Sequence, residues 1–399
     1  MKPLREEHQT AFRYDYILVA TVILLTLVGL VTLYSASYLF ALNQPGRFGS
    51  RGGWTPLFGN IVACGIMIFL FPVLAFVKLD SLKKEWFIIG LVLFTVFVNL
   101  LPFIPFFQKS NFDPATDVRR WIIFRRGGSD WLSFQPSEII KVVLPLYLAY
   151  ILDKNTEKIN KFFYGPLPPA IVTGVFCALV VFQNNFSEVV LIAMISLAVC
   201  FVAGIRLRWF AIALALILPI GHRLTFGDTG GRWYHRLYTF FNPGQDMFGA
   251  RYQIDMSMEA IRSGGFLGRG IGQGTLKTRI PEVHGDFVFA SFAEEFGLIG
   301  VFLHLALIGV FAGIVFYVVW RSRDRFSQLL AFGLVTPIVM QTLLNVAVVA
   351  NVVPTTGIAL PFVSSGGSSL LMTLCASALL VNLARRHVLS LEKEGWNAG

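Results

Sequence analysis

Residues 16–39 read YILVATVILLTLVGLVTLYSASYL, 24 residues without a charge. A helix rises about 1.5 Å per residue, and about 20 residues cross a hydrocarbon core, so this run is long enough to span a membrane. It follows a basic N-terminus carrying Lys2, Arg5 and Arg13. The run exceeds a signal-peptide core and no small-residue cleavage site follows it, so it reads as a retained first helix.

The rest of the chain repeats that pattern. Of its 399 residues 55% are apolar and only 14% charged, against about 25% charged in a soluble domain. Mean hydropathy is +0.66. The apolar runs are long and uninterrupted, which points to helices rather than a β-barrel. Ten spans are expected, at 16–39, 56–77, 86–106, 137–153, 165–182, 187–204, 208–224, 287–320, 328–350 and 359–384. The fold class is an all-α polytopic membrane protein. It is read as a single transmembrane domain over 16–386, between an N-terminal segment 1–15 and a polar tail 387–399.

Short loops with Lys78, Lys83 and Lys84, with Lys154, Lys158 and Lys161, with Arg206 and Arg208, and with Arg321, Arg323 and Arg325 fall on one side. By the excess of Lys and Arg in short loops, that side and both termini are cytoplasmic. Loops at 40–55, 107–136 and 225–286 then face outward, the last being a large one between the seventh and eighth spans. No inverted repeat of the transporter kind is visible. Cys64, Cys177, Cys200 and Cys375 lie in apolar runs without CxxC spacing. They read as packing residues, with no disulfide framework or metal site indicated.

Chemistry concentrates where apolar sequence meets the outer loops. PEVHGDF (281–287) ends the largest loop with Asp286, and eight Arg and Lys precede it between Arg223 and Arg279. A carboxylate partly shielded from water is suited to general-base work. An Asp before an apolar helix is equally a helix cap. On spacing alone the two readings weigh about the same, and they can coexist. His284 reads either as a base or as a solvated loop histidine. Glu294 and Glu295, two turns further on, lie at a depth where ionisable residues face a cavity or a partner, and each reads first as a member of a structural ion pair with a cation.

FQPSEIIK (134–141), preceded by Arg119-Arg120-Trp121, opens the fourth span. Pro136 suits a helix start, and Glu138 and Lys141 share a helix face. A lysine within an apolar span points to a cavity. VVPTTGIALPFVSSGGSS (352–369) breaks the chain between the last two spans. Its serines and glycines either pack helices closely or offer backbone N–H groups to an anion. The run GGFLGRGIGQG (264–274) lacks the strand context of a dinucleotide site and is rejected as one. The net charge of +10 is spread over membrane-flanking loops. It fits lipid headgroups rather than nucleic acid.

Taken together, Arg120-Trp121, QPSEIIK, YQIDMSMEAIRSGGFLGRGIGQG, IPEVHGDFVFASFAEEFGLIG and NVVPTTGIALPFVSSGGSS resemble, in this order, the SEDS family (shape, elongation, division and sporulation) that includes FtsW and RodA. The resemblance covers about residues 117–386. It implies a ten-helix fold and an inverting glycosyltransferase that polymerises lipid II into β-1,4 glycan strands. It also implies a class B penicillin-binding protein as partner, alongside other divisome proteins and membrane lipid. The family's catalytic aspartate falls on Asp286. Arg120, Trp121, Glu138, Lys141, Lys277, Arg279, His284 and Ser368 are the expected substrate-binding residues. No cofactor is firmly indicated, and a divalent cation, Mg2+ or Mn2+, stays open. Lys277 and Ser257 resemble the FtsW branch, which implies septal synthesis; a RodA-like elongation enzyme and a lipid II flippase are the alternatives.

Two positions depart from the family's usual residues. Asn184-Asn185 stand where a Pro-Asp pair is common, with Glu188 available to compensate, and Ser365 stands where a tyrosine is common.

Overall fold

The computed structural model describes residues 14–43, 55–107, 119–126, 129–226, 231–242, 250–276 and 285–397. The chain is mostly helical. The long helices are α1 (Tyr14–Asn43), α2 (Thr55–Phe76), α3 (Glu85–Leu100), α4 (Ser137–Lys154), α5 (Leu167–Phe182), α6 (Phe186–Val202) and α7 (Leu207–Phe226). Two helices follow within the large loop, α8 (Gly231–Phe241) and α9 (Ala250–Gly264). The chain ends with α10 (Val288–Arg321), α11 (Arg325–Val349) and α12 (Gly367–Asn397).

Six of these are long and apolar enough to cross a membrane: Tyr14–Ser37, Leu57–Phe76, Glu85–Phe103, Val288–Arg321, Arg325–Val349 and Gly367–Ser390. Leu167–Phe182 and Phe186–Val202 are apolar but shorter. This is a multi-pass membrane protein. Its helices expose Phe69, Phe94, Phe97, Phe302 and Trp320 at their flanks. Such surface is stable only against lipid or another protein.

The core lies among α4, α11 and α12. Leu144, Leu148, Phe326, Leu330, Leu334 and Ala378 are fully or almost fully enclosed there. Close approach depends on small residues. A Cβ on Gly367 of α12 would lie 2.5 Å from the Gly59 carbonyl of α2, and one on Gly29 of α1 would lie 2.1 Å from the Phe362 carbonyl. The buried Asn382 of α12 donates to the carbonyls of Leu74 and Val77, both at 2.8 Å.

The expectation of an all-α protein needs one correction. Within the 107–136 loop, β1 (Ile122–Arg126) pairs antiparallel with β2 (Ser129–Phe134), Ile122 opposite Phe134, with an irregularity at Phe124/Arg125. Five residues facing six are too short a signal to stand out beside membrane helices.

Two expected spans also change. The tenth begins at Gly367 rather than 359, because Pro361 and the left-handed Phe362 (φ 66°) keep the preceding stretch out of a helix. The eighth is interrupted at Gly297 (φ 65°, ψ −170°), where only glycine sits comfortably.

The bundle has two chemically distinct ends. One gathers Lys83, Glu85, Lys154, Asp324 and Arg325. The other gathers the first turns of α4, α6, α10 and α12.

Candidate active site

At that second end Asp286 occupies a turn immediately before α10. The residue at the N-cap position is Phe287, and no side chain caps the helix there. Asp286 stands one residue before that position. Its backbone is held from two sides instead. Asn345 of α11 donates Nδ2 to the Asp286 carbonyl and to the Ile358 carbonyl, each at 2.9 Å. Ser364 donates its hydroxyl to the Gly285 carbonyl at 2.9 Å and accepts from the Leu360 N–H at 2.7 Å. Asn60 of α2 in turn donates to the Ser364 carbonyl at 3.0 Å. Buried amides from two helices and the Ser364 hydroxyl of the segment before α12 thus fix the height and direction of the turn.

The carboxylate itself points at the strap 355–357. A Cβ on Gly357 (φ 76°) would lie 3.3 Å from Asp286 Oδ2 and 3.8 Å from an Arg236 guanidinium nitrogen. Carboxylate and guanidinium therefore converge over one glycine, where any side chain would crowd both. Arg236 of α8 also donates to the carbonyls of Thr355 and Thr356, at 3.2 and 3.1 Å. Ser187, in the first turn of α6, donates to the same Thr356 carbonyl. The strap thereby couples the Asp286 turn to the start of α6.

Next to it lies a buried charge cluster. Lys141 Nζ is 2.8 Å from Glu138 Oε1 and 3.3 Å from Glu188 Oε1, and all three side chains are 4–6% exposed. The i,i+3 spacing makes the first pair, and only the packing of α6 on α4 makes the second. Ser369 of α12 is buried beside Glu138. The neighbouring Ser368 hydroxyl is buried, with no partner among the described residues.

Glu188 thus supplies a carboxylate three residues after Asn185. Asn184 adopts φ 57°, which asparagine tolerates and proline cannot. Its carbonyl accepts from Arg120. The departure from a Pro-Asp pair is therefore a different turn, with the charge moved along α6.

Trp121 is half-buried at the foot of the hairpin. Lys277, Arg279 and His284 lie outside the described residues. The structure brings Glu138, Lys141 and Ser368 together at the end that holds Asp286, with Arg120 tied to the α5–α6 turn. Among the described residues no three His, Cys, Asp or Glu side chains group to hold a metal. All four cysteines are free thiols.

A structural ion pair with a cationic partner, the expectation for Glu294, is not what Glu294 makes. Its Oε1 accepts from the backbone N–H groups of Thr275 and Leu276, at 2.8 and 3.1 Å. Glu295 Oε1 accepts from Ser35 of α1 at 2.6 Å. Glu294 holds the end of the glycine-rich loop beside α10, and a Cβ on Gly274 would lie 2.8 Å from it.

The sequence pattern offers Glu188 only as compensation for Asn184-Asn185, and it does not point to Arg236 or Asn345. Arg236 stood among eight basic residues without a distinguishing pattern. Asn345 is one of three amides in an otherwise apolar helix, with Gln328 and Gln341, and a buried amide marks a hydrogen bond but not its partner.

A family model described as cell cycle protein, covering FtsW, RodA and SpoVE, matches residues 15–388. The probable peptidoglycan glycosyltransferase FtsW of Geobacter metallireducens is 32% identical over 384 residues, 94% of this chain and 95% of that one. The protein of the same name from Bacillus subtilis is 31% identical over 93% of this chain and 90% of its own length. Among solved structures, a chain of a peptidoglycan synthase complex coordinating polymerization and crosslinking superposes with a TM-score of 0.74 at 24% identity, covering 94% of this chain and 98% of that one. The rod shape determining protein RodA of Thermus thermophilus gives 0.59 at 24% identity, over 93% and 96%. The match over almost the whole length places this chain in the FtsW, RodA and SpoVE family of cell cycle proteins.

Proposed function

We propose that the protein is a peptidoglycan glycosyltransferase that joins lipid II units into β-1,4 glycan strands on the outer face of the cytoplasmic membrane. The observation that carries this reading is the Asp286 carboxylate, set against Arg236 over Gly357 on a turn held by Asn345 and Ser364. Relatives at 31–33% identity are named as probable peptidoglycan glycosyltransferases.

Outside the cytoplasm a glycosyl donor must carry its own leaving group, and a polyprenyl pyrophosphate supplies one. Asp286 takes the proton from the 4-hydroxyl of the incoming GlcNAc. That oxygen attacks the anomeric carbon of the growing strand's terminal MurNAc from the face opposite the pyrophosphate, inverting an α linkage to β. Such a displacement needs one base and stabilisation of the departing anion. Arg120, Lys277 and Arg279 are assigned to the anion. Trp121, Glu138, Lys141, His284 and Ser368 are assigned to the remaining substrate contacts. A divalent cation, where one takes part, enters with the pyrophosphate.

In this reading ten helices cross the cytoplasmic membrane, both termini are cytoplasmic, and the 225–286 loop is outside. A class B penicillin-binding protein is the working partner, and septal synthesis is the role. Asp286→Ala, purified with that partner and given labelled lipid II, should fold and bind the partner but form no glycan polymer on a gel. Normal polymer from that variant sinks the base assignment. Lipid movement without polymer from the native protein would support a flippase instead.

A further inference from the structure

We propose that the glycine-rich loop between α9 and α10 is a membrane anchor, inserting Phe266, Leu267 and Ile271 into the acyl chains of the leaflet on the Asp286 side. These side chains are 74%, 81% and 58% exposed. The backbone around them is spliced into the break in α10. Arg269 and Gly270 donate to the carbonyls of Glu294 and Glu295, both at 3.0 Å, and Leu298 and Ile299 donate to the carbonyls of Gly265 and Phe266 at 2.9 and 3.1 Å. Gly268 N–H closes on the Gly264 carbonyl at 2.9 Å. Irregular backbone at the edge of a bilayer core survives only when its polar groups are tied off in this way.

The splice also sets the depth. About 20 residues of helix cross a hydrocarbon core of about 30 Å. Counted from Arg325 at the start of α11, that level is reached at Asn345, which holds the Asp286 carbonyl. Counted back from Arg321 at the end of α10, it is reached at Val301, two residues beyond the Ile299 that binds Phe266. The loop tip and the Asp286 turn therefore sit at one level, the boundary between acyl chains and headgroups.

Leu298, Ile299 and Phe302 of α10 are themselves exposed beside the tip, so the apolar patch continues a flank of a candidate membrane span. Lipid is the occupant that this continuity selects. An anchor here would keep the Asp286 turn at a fixed height over the membrane. It needs only a multi-pass protein and stands whether or not Asp286 is the base.

The test uses the full chain in liposomes, with the four native cysteines replaced. A fluorophore is placed at Phe266→Cys or Leu267→Cys, with Phe302→Cys as the lipid reference and Lys158→Cys as the aqueous one. Quenching by lipids with a shallow nitroxide should exceed quenching by aqueous iodide at least about threefold at 266 and 267, as at 302. The iodide-dominated pattern of Lys158, or protection from both quenchers by a second protein copy, overturns the proposal. If the cysteine-free chain does not fold, a photo-crosslinking residue at 266 in the native chain reads the same point. Adducts to lipid support the anchor, and adducts to protein reject it.

Discussion

The two ends of this bundle handle charge in opposite ways. At the end with the short basic loops, Lys83 meets Asp324 at 2.8 Å and Lys154 meets Glu85 at 3.0 Å, with side chains 32–58% exposed. At the Asp286 end, Lys141 serves two carboxylates inside the protein, and Glu294 spends its charge on backbone N–H groups. Water screens the first set, so each pair contributes little and can be exchanged. Nothing screens the second, so each member depends on the others. Only the second arrangement can hold groups in a set geometry for chemistry on a charged substrate.

The contrast can be broken experimentally, beginning with its largest effect. Lys141→Met leaves two carboxylates buried together and should cost about 3–5 kcal/mol, read as a drop in melting temperature in detergent. An unchanged Tm would mean that the cluster is hydrated. Glu294→Leu strands the N–H groups of Thr275 and Leu276, at about 1–3 kcal/mol. Hydrogen exchange at those two amides should accelerate while α11 stays protected.

Gly264→Ala sharpens the role of the splice, since its Cβ would sit 2.2 Å from the Ala293 carbonyl. Overpacking of this kind costs about 1–3 kcal/mol. Gly265→Ala has open space and meets only its φ of +55°, for about 1–2 kcal/mol. Equal Tm losses in the two variants would argue against tight packing of loop on helix.

The smallest effect is expected at the other end, where Lys83→Met should cost under about 1 kcal/mol. Burial pushes the Asp324 carboxyl up, but hydrogen bonds from Lys83 and Ser327 outweigh it and hold the group below the ordinary carboxylate range. A depressed carboxylate stabilises the fold above its unfolded pKa, about 3.9, and loses that contribution as pH falls through the folded value. Melting curves of native protein and Lys83→Met should therefore converge at acid pH.

Much of this was legible in the residues. Uncharged runs long enough to cross a bilayer marked the helices, and the Glu138–Lys141 spacing marked a pair on one helix face. The hairpin at Ile122–Phe134 escaped because short strands leave little periodic signal. The break at Gly297 escaped because a single glycine in a long helical run is common, and neither the apolar residues nor Glu294-Glu295 beside it report φ. Glu294 looked like half of an ion pair because a sequence displays charged side chains but not the backbone N–H groups that can satisfy them.

Composition and spacing by themselves determined that the chain spans a membrane, which loops are basic, and where carboxylates meet apolar helix. Those are properties of consecutive residues, governed by the cost of placing charge and bare backbone in hydrocarbon. Tertiary structure alone decided which distant residues complete the site. Arg236, Asn345 and Gly357 come together around Asp286 from three separate segments, and Glu188 joins Lys141 from 47 residues away. Such meetings depend on helix packing and on hydrogen bonds closed over long loops, for which no local pattern in the chain exists.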